Sequence, residues 1–290
     1  MTQTRGYVTL MESLLEIQKL AVSFEQRGRL VEAVRGVSFS MGREKLGIVG
    51  ESGSGKSQTG RAILGLSEGK VEAEALRFQN LDLLNMGRRA RRDLRGGKIG
   101  MVMQDPKFSL NPVMRIGKQL VEALLAHERL PKKEAQNRAL SMLEAVQIDD
   151  PDRVYRAYPH ELSGGMGQRA MIAMMLLPGP DLLIADEPTS ALDVTVQQTV
   201  LRIMDQLVQE RGMGLILISH DLELVSTFCD RILVMYAGRI VETLKASELE
   251  NAQHPYTQGL MSCLPKASTR GRPLPVMKRD AAWLDEGQSP

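Results

Sequence analysis

Residues Gly50-Glu51-Ser52-Gly53-Ser54-Gly55-Lys56-Ser57-Gln58 alternate glycine with short polar side chains, then deliver a lysine and a serine at the start of an amphipathic run. From Gly50 to Ser57 they match G-x-x-x-x-G-K-[ST], directly after the apolar stretch KLGIV. Glycines let such a loop curl until successive backbone N–H groups point into one concavity, and the following helix adds the positive end of its dipole. That concavity takes a polyphosphate, with Lys56 reaching the β- and γ-phosphates as a point charge and the Ser57 hydroxyl ligating Mg²⁺. Loops of this kind serve kinases, GTPases, transport ATPases and DNA-repair ATPases alike, so further residues must decide. The stretch LLIADEPTSALD, residues 182 to 193, sets the apolar run Leu182 to Ala185 before Asp186-Glu187. The acid pair then falls where a parallel strand ends, the edge at which ligands collect in such sheets. Asp186 can hold Mg²⁺ through its water shell, and Glu187 can orient or polarise an attacking water.

A second device of the same type follows from LSGGMGQR, residues 162 to 169, where Ser163, Gly164 and Gly165 open a long helical run. A phosphate loop, then L-S-G-G, then an acidic strand end closely after it resembles the ATP-binding cassette (ABC) ATPases. Gln104 in VMQDP matches that family's Q-loop, Ser190-Ala191-Leu192-Asp193 its D-loop, and His220 in ISHD its switch histidine. Phe24 in AVSF stands where the family places an aromatic ring on adenine. The resemblance spans residues 14 to 265, and it implies an α/β fold: a P-loop NTPase core with an antiparallel β portion and an inserted α-helical subdomain. It also implies ATP and Mg²⁺ as ligands. Phe24, Gly50 to Gln58, Gln104, Ser163, Gly164, Gly165 and Asp193 then contact nucleotide, with Ser57, Gln104 and Asp186 at the metal. By the same likeness Ser163 and Gly165 act in trans, on nucleotide held by another subunit, while Glu187 and His220 serve hydrolysis at the chain's own loop.

The elements that must position these residues are legible as alternating patterns. Val37, Phe39 and Met41 alternate at strand spacing, and the apolar runs at 45–50, 98–104, 182–186, 215–219 and 231–236 read as further strands. Val196, Val200, Ile203, Met204 and Leu207 recur at helical spacing between two of them, which implies a largely parallel sheet covered on both faces. Residues 105 to 165 differ: Ile116, Leu120 and Leu124 share one helical face, Ala139, Leu143 and Val146 another, and no strand pattern intervenes. This predicts a helical subdomain inserted in a nucleotide-binding domain over 12–265, followed by a loosely held extension over 266–290, rich in proline and charge.

Composition limits the alternatives. With 37 Lys+Arg against 35 Asp+Glu the formal net charge is +2, far from the basic footprint of a dedicated nucleic-acid binder. The run Arg88, Arg89, Arg91, Arg92, Arg95 is the one nucleic-acid hint, and such a density reads more simply as a solvated helix face. No apolar run approaches the roughly 20 residues that cross a bilayer. The N-terminus carries no export pattern, and Cys229 and Cys263 support no disulfide framework, which fits a reducing cytosol. The methionine cluster MIAMM, residues 171 to 175, reads as adaptable core packing.

Within the family, GIVGESGSGKS, YPHELSGGM with Met166 in the signature, VMYAGRIVE and QHPYTQGLMSCLP resemble ATPase subunits of oligopeptide, dipeptide and nickel importers. That likeness implies a peripheral subunit at the cytoplasmic face of the inner membrane. Its partners are then a second ATPase subunit paired head to tail, two transmembrane permeases and an extracytoplasmic solute-binding protein, with no nucleic acid. Residues 266–290 contain none of the cysteines many such subunits carry there, so no iron–sulfur cluster is expected. An exporter ATPase is the alternative, and a DNA- or ribosome-associated cassette a more distant one. The solute stays open among peptide, nickel chelate, glycoside and opine-like compounds, and the ATPase partner between a copy and a sister chain, with the sister favoured.

Overall fold

The computed structural model describes residues 13–103, 109–190, 192–263 and 283. The chain opens with a long antiparallel hairpin, β1 (Leu15–Gln26) and β2 (Arg29–Met41), then runs through β3 (Lys45–Val49) into helix α1 (Lys56–Ile63). Short strands β4 (Lys70–Glu72), β5 (Ala75–Phe78) and β6 (Leu81–Asp82) return to the hairpin, and α2 (Arg88–Leu94) leads to β7 (Ile99–Val102). Helices α3 (Ile116–Leu125), α4 (Lys132–Ala145), α5 (Pro151–Arg156) and α6 (Gly164–Leu176) come next, followed by β8 (Leu182–Asp186), α7 (Val194–Arg211) and β9 (Gly214–Ser219). The order closes with α8 (Leu222–Phe228), β10 (Arg231–Tyr236), β11 (Arg239–Lys245) and α9 (Pro255–Ser262).

The strands form two sheets. One runs β11-β10-β3-β9-β8-β7, parallel throughout except for the antiparallel edge strand β11. The other is antiparallel, ordered β2-β1-β5-β6 with β4 also on β1. This is the P-loop core with an antiparallel portion that the sequence implies. Every residue of β7, β8 and β9 is buried, which is why these strands read as unbroken apolar runs: a parallel sheet covered on both faces has no polar side to display. Alternate residues serve two cores. Leu46, Ile48, Ile184, Ile216 and Ile218 face the antiparallel sheet, whereas Val49, Leu183, Ala185, Leu215 and Leu217 face the helices.

The helical faces expected between 105 and 165 are buried, with Ile116, Leu120, Leu124, Ala139, Leu143 and Val146 all fully enclosed beside α6. Met171 and Met174 lie in the same core, and Cys229 is buried there too. Burial pushes the Cys229 thiol up to about 12, so it is an inert packing residue. Strand geometry then fixes the site, because β3, β8 and β9 are neighbours in register and end together. Val49 pairs with Ser219, and Asp186 with Ile218, so the phosphate loop, the acid pair and His220 leave the sheet at one edge.

Candidate functional site

The loop between β3 and α1 has the conformation its glycines permit. Gly50, Gly53 and Gly55 hold φ of +151°, +83° and +100°, values that side-chain-bearing residues rarely adopt. Two of them are also hemmed in. A Cβ on Gly50 would stand 2.1 Å from the Met235 carbonyl oxygen and one on Gly55 2.5 Å from that of Ala33, whereas at Gly53 nothing lies within 4 Å. The loop is thus pressed against protein on its outside and open on its inside. Inside it lies a cavity of about 550 Å³ lined by Ser52, Gly53, Gly55, Lys56, Ser57 and Gln58, with Phe24 and Glu187 on its walls. A wider cleft of about 630 Å³ near Arg138 and Arg211 contains none of the motif residues.

Lys56 is buried, and its ammonium donates to the Gly50 and Glu51 carbonyls at 2.7 and 2.9 Å. Burial lowers its pKa, against the opposing pull of Glu187, Asp186 and Glu51. Ser57 Oγ donates to Asp186 Oδ1 at 2.8 Å, and burial holds the Asp186 carboxyl above its ordinary range. Ser54 Oγ is buried without a hydrogen-bond partner among the described residues. A buried cation donating to two loop carbonyls, a carboxylate and hydroxyl in mutual contact, and an unsatisfied hydroxyl together fit a polyphosphate with a hard divalent ion. Among the described residues no cluster of three or more His, Cys, Asp or Glu forms a metal site.

Glu187 follows β8 with φ +47°, a strained value for a non-glycine residue, fixed by its N–H donating to Ile218 at 2.9 Å. That twist leaves Glu187 lining both the loop cavity and a small pocket of about 130 Å³ with Ser190 and His220. His220 Nδ1 lies 3.2 Å from Glu187 Oε1. The structure therefore brings Gly50 to Gln58, Asp186, Glu187 and His220 to one edge of the parallel sheet, with Phe24 of β1 on the wall of the loop cavity.

The remaining motif residues stand apart from that cavity. Ser163 caps α6 by accepting from the Met166 N–H at 3.3 Å, and Ser163 and Gly164 are exposed. Gly165 packs against α7, where a Cβ would meet Val196 Cγ1 at 2.7 Å. Asp193 caps α7, accepting from the Val196 N–H at 3.0 Å. Gln104 and Ala191 lie outside the described residues, as does 264–290 apart from Trp283. Of the arginine run, Arg91 and Arg95 turn inward, donating to the Leu83 and Leu64 carbonyls at 3.0 and 2.7 Å.

Sequence reasoning missed several supports. Gln168, fully buried on α6, donates to the Pro188 carbonyl and so ties the signature helix to the turn after Glu187. The Gly238 N–H donates to Ser54 O at 3.0 Å, and the Glu51 N–H to Tyr256 Oη at 3.0 Å. Neither Gln168 in GMGQRA nor Tyr256 in HPYTQG sits in a sequence pattern that marks such a support.

A phosphate loop opening α1, an acidic strand end and a facing histidine at the carboxyl edge of a parallel sheet define a P-loop ATPase. Residues 34–190 match the family model of the ABC transporter. The chain is 46% identical over 263 residues to the oligopeptide transport ATP-binding protein OppD of Bacillus subtilis, covering 89% of this chain and 74% of that protein. It is 47% identical over 258 residues to the dipeptide transport ATP-binding protein DppD of Haemophilus influenzae, covering 88% and 78%. A dimeric bacterial ABC transporter cassette superposes with a TM-score of 0.73 at 26% identity, over 80% of this chain and 98% of that one. The same cassette, bound to ADP and Pi in a post-hydrolysis dimer, gives 0.70. This chain belongs to the ABC transporter family, and it is an ATPase. No helix among the described residues is long and apolar enough to cross a membrane.

Proposed function

We propose that the chain is the ATP-hydrolysing subunit of an importer for peptides or a related small solute, working at the cytoplasmic face of the inner membrane. One arrangement carries the chemistry: Glu187 lines the phosphate-loop cavity and also approaches His220 to 3.2 Å. Lys56 exchanges its two carbonyl acceptors for phosphate oxygens, gaining charge-assisted bonds, while the loop N–H groups and the α1 N-terminus hold the remaining anionic charge. Ser57 and Asp186, in contact at 2.8 Å, would hold Mg²⁺ together with Gln104, and the ion would neutralise phosphate charge. Glu187 accepts a hydrogen bond from the attacking water and aims it at the terminal phosphorus, and His220 steadies that carboxylate. Phe24, on the cavity wall, offers its ring to adenine.

Ser163, Gly164, Gly165 and Asp193 then act on the nucleotide of a second ATPase subunit, a sister chain paired head to tail; the exposure of Ser163 and Gly164 at the α6 N-terminus supports this. ATP binding closes the pair and hydrolysis opens it. The helices between 105 and 165 rotate with that motion against loops of two permeases, which receive solute from an extracytoplasmic binding protein. Likeness to relatives named for oligopeptide and dipeptide transport supports import of such solutes. The test is isolation of the intact membrane complex and an uptake assay across a panel of solutes. Permeases and a sister ATPase are expected to co-purify, with peptide uptake that Glu187→Gln abolishes. Co-purification with DNA or ribosomes, or ATP-driven efflux, would overturn the proposal.

A further inference from the structure

The stretch His254-Pro255-Tyr256-Thr257 has a physical account independent of the ATPase motifs. His254 caps α9, its Nδ1 accepting from the Tyr256 N–H at 3.1 Å, and Pro255 takes the first helical position, where a missing N–H costs nothing. This start delivers Tyr256, fully buried, to the back of the phosphate loop, where its Oη accepts from the Glu51 N–H at 3.0 Å across 205 residues of chain. Glu51 and Gly50 also supply the carbonyls that hold Lys56. The same flank of the loop meets the end of β10, through the Met235 carbonyl against Gly50 and the Gly238 N–H donating to Ser54 O.

Tyr256 does not stand alone. Its ring lies 4.5 Å from that of Tyr236, and Trp283 closes the set with centroids 5.6 Å from Tyr236 and 5.7 Å from Tyr256. Tilted and edge-on aromatic contacts of this kind add attraction beyond their buried area. Trp283 is the chain's single tryptophan.

We propose that Tyr256 is a positioning residue for the phosphate loop and that Trp283 seats it, so these two aromatic residues set ATP affinity from behind the cradle. This rests on reading the Gly50–Ser57 loop as the nucleotide site. A preorganised loop spends no binding energy on its own ordering, and a support displaced by fractions of an ångström forfeits that advantage. Phenylalanine at 256 keeps the ring and removes the hydroxyl that accepts from the Glu51 N–H.

The test uses the full-length chain titrated with a fluorescent ATP analogue and Mg²⁺, alongside intrinsic tryptophan emission and a thermal melt. Tyr256→Phe is expected to weaken analogue binding about tenfold, with little change in melting temperature. Trp283→Ala should weaken binding in the same direction and Trp283→Phe should restore it. In the parental chain Mg-ATP should shift the Trp283 emission, and Lys56→Ala should lose both the shift and the binding. Parental affinity in both Tyr256→Phe and Trp283→Ala would overturn the inference, as would silent Trp283 emission in a chain that demonstrably binds nucleotide. Should Tyr256→Phe fail to fold, the two Trp283 variants and the emission decide. No binding by the parental chain would instead overturn the reading of the loop, and this inference with it.

Discussion

Glu187 carries the most of any side chain, because its strained backbone and its contact with His220 aim one carboxylate into the phosphate cavity. Glu187→Gln keeps the shape and removes the base, so phosphate release by the assembled complex should fall by about 10² to 10⁴-fold while ATP binding persists. Lys56→Ala should act earlier in the cycle, weakening nucleotide binding itself in an equilibrium titration. Asp186 gives a prediction without nucleotide. Burial raises its folded pKa above the unfolded value, so the folded chain holds that proton more tightly. Its contribution therefore favours folding in acid and declines as pH rises from the ordinary carboxylate range through the raised value. Asp186→Asn, permanently neutral and still able to accept from Ser57, should match the parent in acid and melt progressively higher than it as pH climbs through that window.

Between elements one close constraint is the α6–α7 contact, where Gly165 leaves room for Val196. Gly165→Ala should cost about 1–3 kcal/mol by overpacking, read in a denaturant titration, and Gly165→Ala/Val196→Ala should recover much of it. The strands of the parallel sheet were legible because burial on both faces leaves unbroken apolar runs, as at 182–185 and 215–218. Strand β1 was not, for a local reason. Its buried apolar residues fall at Leu15, Ile17, Leu20 and Val22, and the alternation breaks at Lys19, where φ is +49° and the pairing with β2 shifts register. Strands β4, β5 and β6 have 3, 4 and 2 residues, too short for any period to register. The meeting of Asp186, Glu187 and His220 at one edge follows from neighbouring parallel strands and could be anticipated. Support from Tyr256 could not, since a hydrogen bond across 205 residues leaves no local pattern.

At the scale of the whole molecule the site is divided. Phosphate loop, acid pair and histidine share one edge, whereas Ser163 and Gly164 lie exposed at the start of α6, outside the residues lining that cavity. Gln168 links the two regions, since its amide on α6 donates to the Pro188 carbonyl in the turn after Glu187. On the proposed head-to-tail pairing, a nucleotide clasped between two subunits, each supplying what the other lacks, accounts for both halves being built into one chain. The most direct measurement is a cryo-EM map of the Glu187→Gln complex loaded with ATP and Mg²⁺. The terminal phosphate should lie between Lys56 of one subunit and the serine-glycine turn of the other. A map in which that turn faces away from every bound nucleotide would contradict the account.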